Sequence, residues 1–447
     1  MMTAFFSGVS GLKAQQTSLD VIGNNISNVS TTGYKSQRVS FSDLLSQTIS
    51  GASSSTATKG GTNAKQIGLG VSVGSIDTLM TVGSSQSTGV ATDVSISGDG
   101  FFIVEGGSSG EYQFTRAGNF SVDEDGNLTV GGYKVCGWEN YTVDADGNYV
   151  YNTDKAVESI NIYSDAYNGN KKIIAAEAST AATFSGNLDP ASSVAENATA
   201  LNAIGDTTDL TFDQTSTITV YDAQGNSYDV AVNWKKCYVD DTTNTTSWYW
   251  EASSSDMTIS PASGYVEFGS DGKLITTDAT NYNTTPTFSL TPSNGSVATF
   301  DVKMDFSDIY SYTSSSTSKV TGTADGYESG ELQGISISTD GTITGTYSNG
   351  QSQALAKIAV AVFTNPEGLE KVGSNLYAVS ANSGNYSAVV AGSGGSGALS
   401  SGTLEMSNVD LAEQFSNMMI SQRAYQANSK VISTADEMLQ SLINMVG

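Results

Sequence analysis

Three short runs carry carboxylates at spacings that could hold a cation: Asp123-Glu-Asp-Gly126, Asp144-Ala-Asp-Gly147 and Asp340-Gly341. A calcium loop of the EF-hand kind needs D-x-D-x-D-G followed by a bidentate Glu, and none of the three extends that far. Asp-Gly and Gly-Asn pairs supply the positive φ that tight turns require, so the runs are predicted to be hairpin turns. Gly68-Leu-Gly-Val-Ser-Val-Gly74 departs from the dinucleotide fingerprint, because its third glycine falls one residue late and no βαβ pattern surrounds it. The chain has no histidine, which removes Ser-His-Asp and Cys-His nucleophiles and the usual zinc ligand sets. Cys136 and Cys237 form no CxxC pair and are predicted to be buried thiols. A disulfide would need their Cα atoms within about 7 Å. No convergent acid pair stands out, so no catalytic, cofactor-binding or metal-binding residue is expected.

What remains is a polar cluster of another kind. In LDVIGNNISNVSTTGYKSQRVSF, Leu19 to Phe41, a helical apolar spacing gives way to Asn24, Asn25 and Asn28, then to Ser30, Thr31, Thr32 and Gly33. Asn is a poor helix-interior residue but bonds readily to local backbone, so these amides are expected to end the helix. Gly33 would then allow a sharp exit. The same amides could also contact neighbouring molecules.

Composition narrows the class of partner. The 447 residues carry 45 acidic and 19 basic side chains, a net charge of −26, yet only 14% of residues are charged. Soluble domains typically carry about 25%. The surface must therefore be largely Ser, Thr, Asn and Gly. Such acidity argues against nucleic acid and against anionic membranes. No basic n-region precedes the first apolar residues, and no apolar run approaches the ~20 residues of a membrane span.

Helices are predicted at both extremities. From a start at Ser407-Asn-Val-Asp410, read as a capping box, an apolar stripe runs through Leu411, Phe415, Met418, Tyr425, Ile432, Leu439, Ile443 and Val446. At the other end Phe5, Val9, Leu12, Leu19, Ile22 and Ile26 follow a similar spacing. Two matching stripes suggest a coiled-coil pair that closes the chain on itself. Gly8, Gly11 and Gly23 each weaken the first helix by roughly 1 kcal/mol relative to Ala. Ser46 to Gln66 reads as a polar low-complexity linker, and Gly392 to Gly397 as a second loose patch. Between them lie short strands, among them Val94–Ile96, Phe101–Val104, Tyr112–Phe114, Leu128–Val130, Ser216–Tyr221, Tyr228–Trp234, Ser247–Trp250, Thr342–Tyr347 and Ile358–Phe363. The expected fold is mainly β, in several domains nested between N- and C-terminal helices.

Two long stretches then become specific. SGLKAQQTSLDVIGNNISNVSTTGYK (Ser10 to Lys35) and QRAYQANSKVISTADEMLQSLINM (Gln422 to Met445) resemble the terminal signatures of bacterial flagellar rod and hook proteins. Gly98-Asp-Gly-Phe-Phe-Ile-Val104 and Phe114-Thr-Arg-Ala-Gly-Asn-Phe-Ser121 resemble a domain common to hook and rod proteins. Phe184-Ser-Gly-Asn-Leu-Asp189 and Thr219-Val-Tyr-Asp-Ala-Gln-Gly-Asn226 resemble the extra outer domain of hook proteins.

The resemblance implies a terminal-helix domain D0 at 1–30 and 409–447, an extended linker at 31–70, a β domain D1 at 71–150 with 325–408, and an inserted β domain D2 at 151–324. It implies a homopolymer: a curved, flexible tube in the hook of the extracellular flagellum that passes torque from rod to filament. Its implied partners are the distal rod, the hook cap, the hook–filament junction proteins and the flagellar type III export apparatus. The two helical stripes would form the polymerisation seam. Asn24, Asn25, Asn28 and Gly33 would form a helix exit with contacts to neighbouring subunits. A straight distal rod protein and a secreted β-rich adhesin are the alternatives.

Overall fold

The computed structural model describes residues 2–446 except 57, 107–110, 145–148, 166–168, 197, 201–202, 205–209, 276–283, 294–297 and 314–317. The tip of the Asp144–Gly147 run therefore lies outside the described residues. By contact density the chain divides into one unit of residues 1–171, 334–346 and 352–447, and a second of 172–333 with 347–351. The boundaries differ from those expected. The inserted unit starts at 172, not 151, and the terminal helices cluster with the first β domain.

In the first unit, α1 (Met2–Ser27) and α2 (Leu411–Val446) pack side by side. Between them in sequence lies a β body in which neighbouring strands run antiparallel. Its centre is Ser352–Val362, which pairs with both Tyr133–Trp138 and Phe101–Glu105. Phe101–Glu105 pairs in turn with Tyr112–Thr115. Phe101, Phe114, Trp138, Phe363 and Tyr377 are buried together, with the Phe114 and Phe363 rings edge to face at 4.8 Å. Cys136 is also buried here as a free thiol, its pKa pushed up to about 12 by burial.

Residues 31–70 are not an extended linker. Strands β1 (Gln37–Asp43), β2 (Ser46–Ser50), β3 (Lys65–Gly68) and β4 (Val71–Thr78) form a long antiparallel hairpin, β1 against β4 and β2 against β3. The Ser/Thr composition that reads as a flexible linker instead supplies cross-strand hydroxyl pairs: Ser40–Ser75 at 2.6 Å, Ser42–Ser72 at 2.8 Å and Ser53–Thr62 at 2.8 Å.

The second unit packs two sheets over a shared core. One is a four-stranded antiparallel meander, Gln214–Tyr221, Ser227–Asp240, Thr245–Ser253 and Ser263–Phe268. The other has five strands, with Ala181–Asn187 parallel to Phe300–Tyr310. Trp234, Trp248 and Trp250 of the meander are fully buried, and Phe306 of the other sheet reaches within 5.1 Å of Trp234 and 5.8 Å of Trp250. Along Gln214–Tyr221 alternate residues point inward, as a sandwich requires. Cys237 is buried in this unit, and it is not disulfide-bonded to Cys136.

The turn predictions have a visible mechanism. The Asp123 carboxylate accepts from the Asn127 amide N–H (2.7 Å) and side-chain Nδ2 (2.8 Å), and Gly126 adopts φ +86°. Asp340 accepts from Thr342 and pairs with Lys357, next to Gly341 at φ +86°. These carboxylates close turns. Among the described residues no three His, Cys, Asp or Glu side chains converge as a metal site would require.

Candidate assembly site at the helix pair and its exit

The helices run antiparallel. Ser18 and Ser421 hydroxyls lie 3.3 Å apart, Asn25 Nδ2 donates to Gln414 Oε1 at 3.1 Å, and Gly8 and Gly11 face Ile432 and Asn428. The seam of α1 is therefore Gly8, Gly11, Ala14, Ser18, Ile22 and Asn25, all of them buried. On α2, Ser421 and Ala435 are buried, with Gln414, Asn428 and Ile432 half-buried. A Cβ on Gly11 would come 2.7 Å from Asn428 Nδ2, and one on Gly8 3.1 Å from Ile432 Cγ1. Two of the three glycines that weaken α1 are thus what lets the backbones approach.

This corrects the expected seam. Of its residues only Ile22 is buried; Val9, Leu12, Leu19, Ile26, Met418 and Ile432 are half-buried. Phe5, Leu411, Phe415, Tyr425, Leu439 and Ile443 are exposed, at 36%, 40%, 51%, 40%, 38% and 68%. The Val446 side chain lies outside the described residues. The true contact line on α1 sits about one position earlier than the apolar stripe, a rotation near 100°. Closely approaching helices select small residues, so the large apolar side chains face outward. At the far end a second reason applies. α1 has 26 residues and α2 has 36, and their register brings the start of α1 level with Glu437. Leu439 and Ile443 have no α1 residue opposite.

At the other end the chain leaves α1 through a buried polar junction. Asn28 N bonds back to Asn24 O at 3.2 Å, and Asn28 Nδ2 reaches the Asn24 side chain at 2.8 Å. Asn24 is exposed and Asn28 half-buried, whereas Asn25 is 1% exposed. Asn25 donates to Gln37 O (2.8 Å) and Gln414, and accepts from Gln37 N (2.9 Å) and Tyr34 OH (3.2 Å). Every hydrogen-bonding position of its amide is used, and it ties α1, α2 and β1 together. Gly33 has φ +69°, and a Cβ there would stand 2.8 Å from the Ala117 backbone nitrogen. Both the turn and the close approach demand glycine.

Sequence reading missed the centre of this junction. Glu405 accepts from Lys35 Nζ at 2.6 Å and Arg116 Nη1 at 3.3 Å, all three side chains being buried. It also accepts from the Gly83 amide at 2.9 Å, and its own carbonyl takes the Gly33 N–H at 2.8 Å. Lys35 continues to Thr81 O, and Arg116 to Gly98 O. One carboxylate thus joins the segment leaving α1, the β body and the segment entering α2. Burial lowers the Lys35 pKa, the nearby Arg116 charge adds to this, and Glu405 opposes both. Lys371, over the Tyr34 ring at 4.6 Å, bonds Lys35 O and is lowered to about 8 by burial. Arg116 stands in the FTRAGNFS motif and Lys35 closes the first terminal signature, so both were in view; their common partner was not. Asp410, not Ser407, caps α2, accepting from the Ala412 and Glu413 amides at 2.8 and 3.2 Å.

Such an arrangement anchors and presents a helix pair. Residues 7–35 match the "Flagella basal body rod protein" family and 400–445 the "Flagellar basal body rod FlgEFG protein C-terminal" family. Residues 95–170 match the "Flagellar hook protein FlgE/F/G D1 domain", and 187–327 the "Flagellar basal body protein FlaE D2 domain". The chain is 37% identical to the flagellar hook protein FlgE of Borreliella burgdorferi over the whole of both chains, and 37% identical to that of Treponema pallidum on the same terms. It is 31% identical to the flagellar basal-body rod protein FlgG of Bacillus subtilis, covering 100% of this chain and 99% of that one. The chain belongs to the flagellar hook protein family, a family of structural subunits and not of enzymes.

Proposed function

We infer that this chain is a structural subunit of the bacterial flagellar hook, polymerising with its own copies into a curved tube that carries torque from rod to filament. The observation that carries the mechanism is the division of labour on the terminal helices. Their mutual seam is made largely of small and polar residues, which leaves Phe415, Met419, Ile420, Leu439, Leu442 and Ile443 outside and wet. Apolar surface of that extent on one helix is stabilised by burial, at about 25 cal/mol per Å². In this reading the stripe Phe5, Leu411, Phe415, Tyr425, Leu439 and Ile443 meets neighbouring subunits, while the β units form outer layers. No helix among the described residues is long and apolar enough to cross a membrane.

The finer partners of this reading are the distal rod, the hook cap, the junction proteins and the export channel through which the chain would leave the cell. The similarity to a rod protein over the full length keeps a straight shaft as the second reading. Electron microscopy of purified assemblies separates them: curved tubes are expected, straight rods would favour the shaft, and isolated particles would contradict both. Replacing Leu439 and Ile443 with Asp should abolish tubes and leave the β units folded, since unpaired buried carboxylates cost several kcal/mol each. Normal tubes from that variant would remove the helix stripe from the assembly surface.

A further inference from the structure

In the second unit, the outer face of the five-stranded sheet carries a row of side chains with no task in folding. Strand pairing sets Lys273 beside Tyr310, Tyr310 beside Asn187, and Asn187 beside Lys319. Residues paired across neighbouring strands point to the same side, so the four share one face, about 14 Å from lysine to lysine. Tyr310, Tyr312 and both lysines are exposed, and Asn187 is half-buried. Asp308, two residues before Tyr310 and paired with Ser185, is exposed on the same face.

The two tyrosine rings lie parallel, with planes 17° apart and centroids at 5.8 Å, and are 39% and 47% exposed. Their backbone is held firmly. Asn187 Nδ2 donates to Tyr312 O at 2.9 Å, and its Oδ1 accepts from Tyr312 N at 2.8 Å. Between the rings Ser311 turns inward, its hydroxyl donating to Leu188 O at 3.0 Å and its amide to Gly272 O at 2.8 Å. Gly272 has φ +71°, and a Cβ there would come 2.6 Å from Tyr312 Cε1, so glycine lets the ring lie over that turn. Aromatic rings presented this rigidly lose little freedom when a ligand covers them.

The polar groups around the rings are uncommitted. Among the described residues the two tyrosine hydroxyls, the two ammonium groups and the Asp308 carboxylate have no hydrogen-bond or ion-pair partner. They mix donors with acceptors, as the hydroxyls of a ligand require. Residues 172–333 hold 21 acidic and six basic side chains, which repels polyanions and opposes contact with the same unit of another copy. An uncharged ligand rich in hydroxyls meets neither obstacle. The groups lie in a line, which suits an extended chain better than a single small molecule.

We propose that this row is a carbohydrate platform: a neutral oligosaccharide lies along it, with pyranose rings against Tyr310 and Tyr312 and hydroxyls on Lys273, Lys319 and Asp308. The role is independent of polymerisation, since every group in it belongs to the second unit.

The test is affinity electrophoresis of the full-length chain through native gels containing a neutral β-glucan, a mannan or a galactan, with polygalacturonate as the charged comparison. Retardation by at least one neutral polysaccharide is expected, and none by polygalacturonate. Tyr310→Ala combined with Tyr312→Ala should weaken binding about tenfold, the order expected for lost aromatic contacts. Fluorescence of the buried Trp234, Trp248 and Trp250 reports whether that variant keeps its fold. Where it does not, tyrosine nitration of the unmodified chain decides. The retarding polysaccharide should protect Tyr310 and Tyr312 and leave the exposed Tyr149 reactive. No retardation in any neutral gel, retardation by the polyanion alone, unchanged retardation in a folded variant, or equal nitration with and without sugar overturns the platform. Protection of both tyrosines by assembly alone, without sugar, would also overturn it and assign the face to a contact between copies.

Discussion

The buried exit and the outer face of the helix pair are built on opposite principles. At the exit, Asn25, Lys35, Arg116 and Glu405 are almost completely buried, and each has partners within its own chain. Along the outer face of α2, large apolar side chains stand exposed, from Phe415, Met419 and Ile420 near the exit to Leu439, Leu442 and Ile443 about eight turns further on. The exit is closed by partners within the chain, and the outer face of α2 is what neighbouring copies would cover in the reading proposed above. A subunit that must be stiffly held by its own body, yet exchange contacts with neighbours around a bend, needs this division. Desolvated, hydrogen-bonded charges fix geometry within the chain, and apolar surfaces associate without strict direction between chains.

The sharpest way to break that contrast is at Glu405. Glu405→Ala leaves Lys35 and Arg116 buried without their anion, a loss of about 3–5 kcal/mol for such clusters. The cost should fall on the docking of both terminal segments at once. Hydrogen exchange in α1, α2 and 33–37 should accelerate together, with the second unit's unfolding transition unchanged. If α1 loosens and α2 does not, Glu405 is not the shared anchor. Replacing all three charged residues by apolar ones of similar volume should be far milder, because no charge is then stranded.

A smaller effect separates seam from surface on α1. Gly11 approaches Asn428 closely, whereas a Cβ on Gly23 would meet nothing within 4 Å. Gly11→Val should therefore destabilise the helix pair by about 1–3 kcal/mol through overpacking. Gly23→Ala should stabilise it by up to about 1 kcal/mol through helix propensity. Opposite shifts in α1 exchange protection are the expected result, and a stabilising Gly11→Val would mean that the small-residue seam is not the contact line.

How far the sequence reveals this molecule depends on which force shapes each part. The strands of the second unit were legible because their burial is internal: Trp234, Trp248 and Trp250 alternate or cluster on strands whose inward face is simply the apolar one. Both helices were legible in extent for the same periodic reason, and so were the exit at Asn24–Gly33 and the turns at Asp123 and Asp340. The helix seam was not. Apolar periodicity marks a face that something covers, without saying whether the cover is the same chain or another, and small residues such as Gly8, Ala14 and Ala435 carry almost no periodic signal. The hairpin was hidden because its pairing rests on Ser–Ser and Thr–Ser contacts in a composition typical of linkers. Glu405 was hidden because a buried ion cluster joins residues 35, 116 and 405, which no local spacing connects.

The gentlest test concerns Lys371, whose ammonium donates to Lys35 O at 3.0 Å beside the Tyr34 ring. Burial lowers its pKa from 10.5 to about 8. Between those values the unfolded chain still holds a proton that the folded chain has released. Stability from this group therefore rises with pH across the window, and below about pH 8 the cost of holding the charge is fully present. Lys371→Met removes the titration. From about pH 7.5 to 9.5 the melting temperature of the native chain should climb relative to that of the variant. Tyr377, whose pKa burial raises, contributes the opposite slope, but in the alkaline range above this window and equally in both proteins. Because Lys371 keeps partial contact with solvent, the climb should be smaller than either helix effect. Parallel curves for native chain and variant would show that the ammonium at the exit is not held at the cost its burial suggests, and that the junction's stability comes from Glu405 and Asn25 alone.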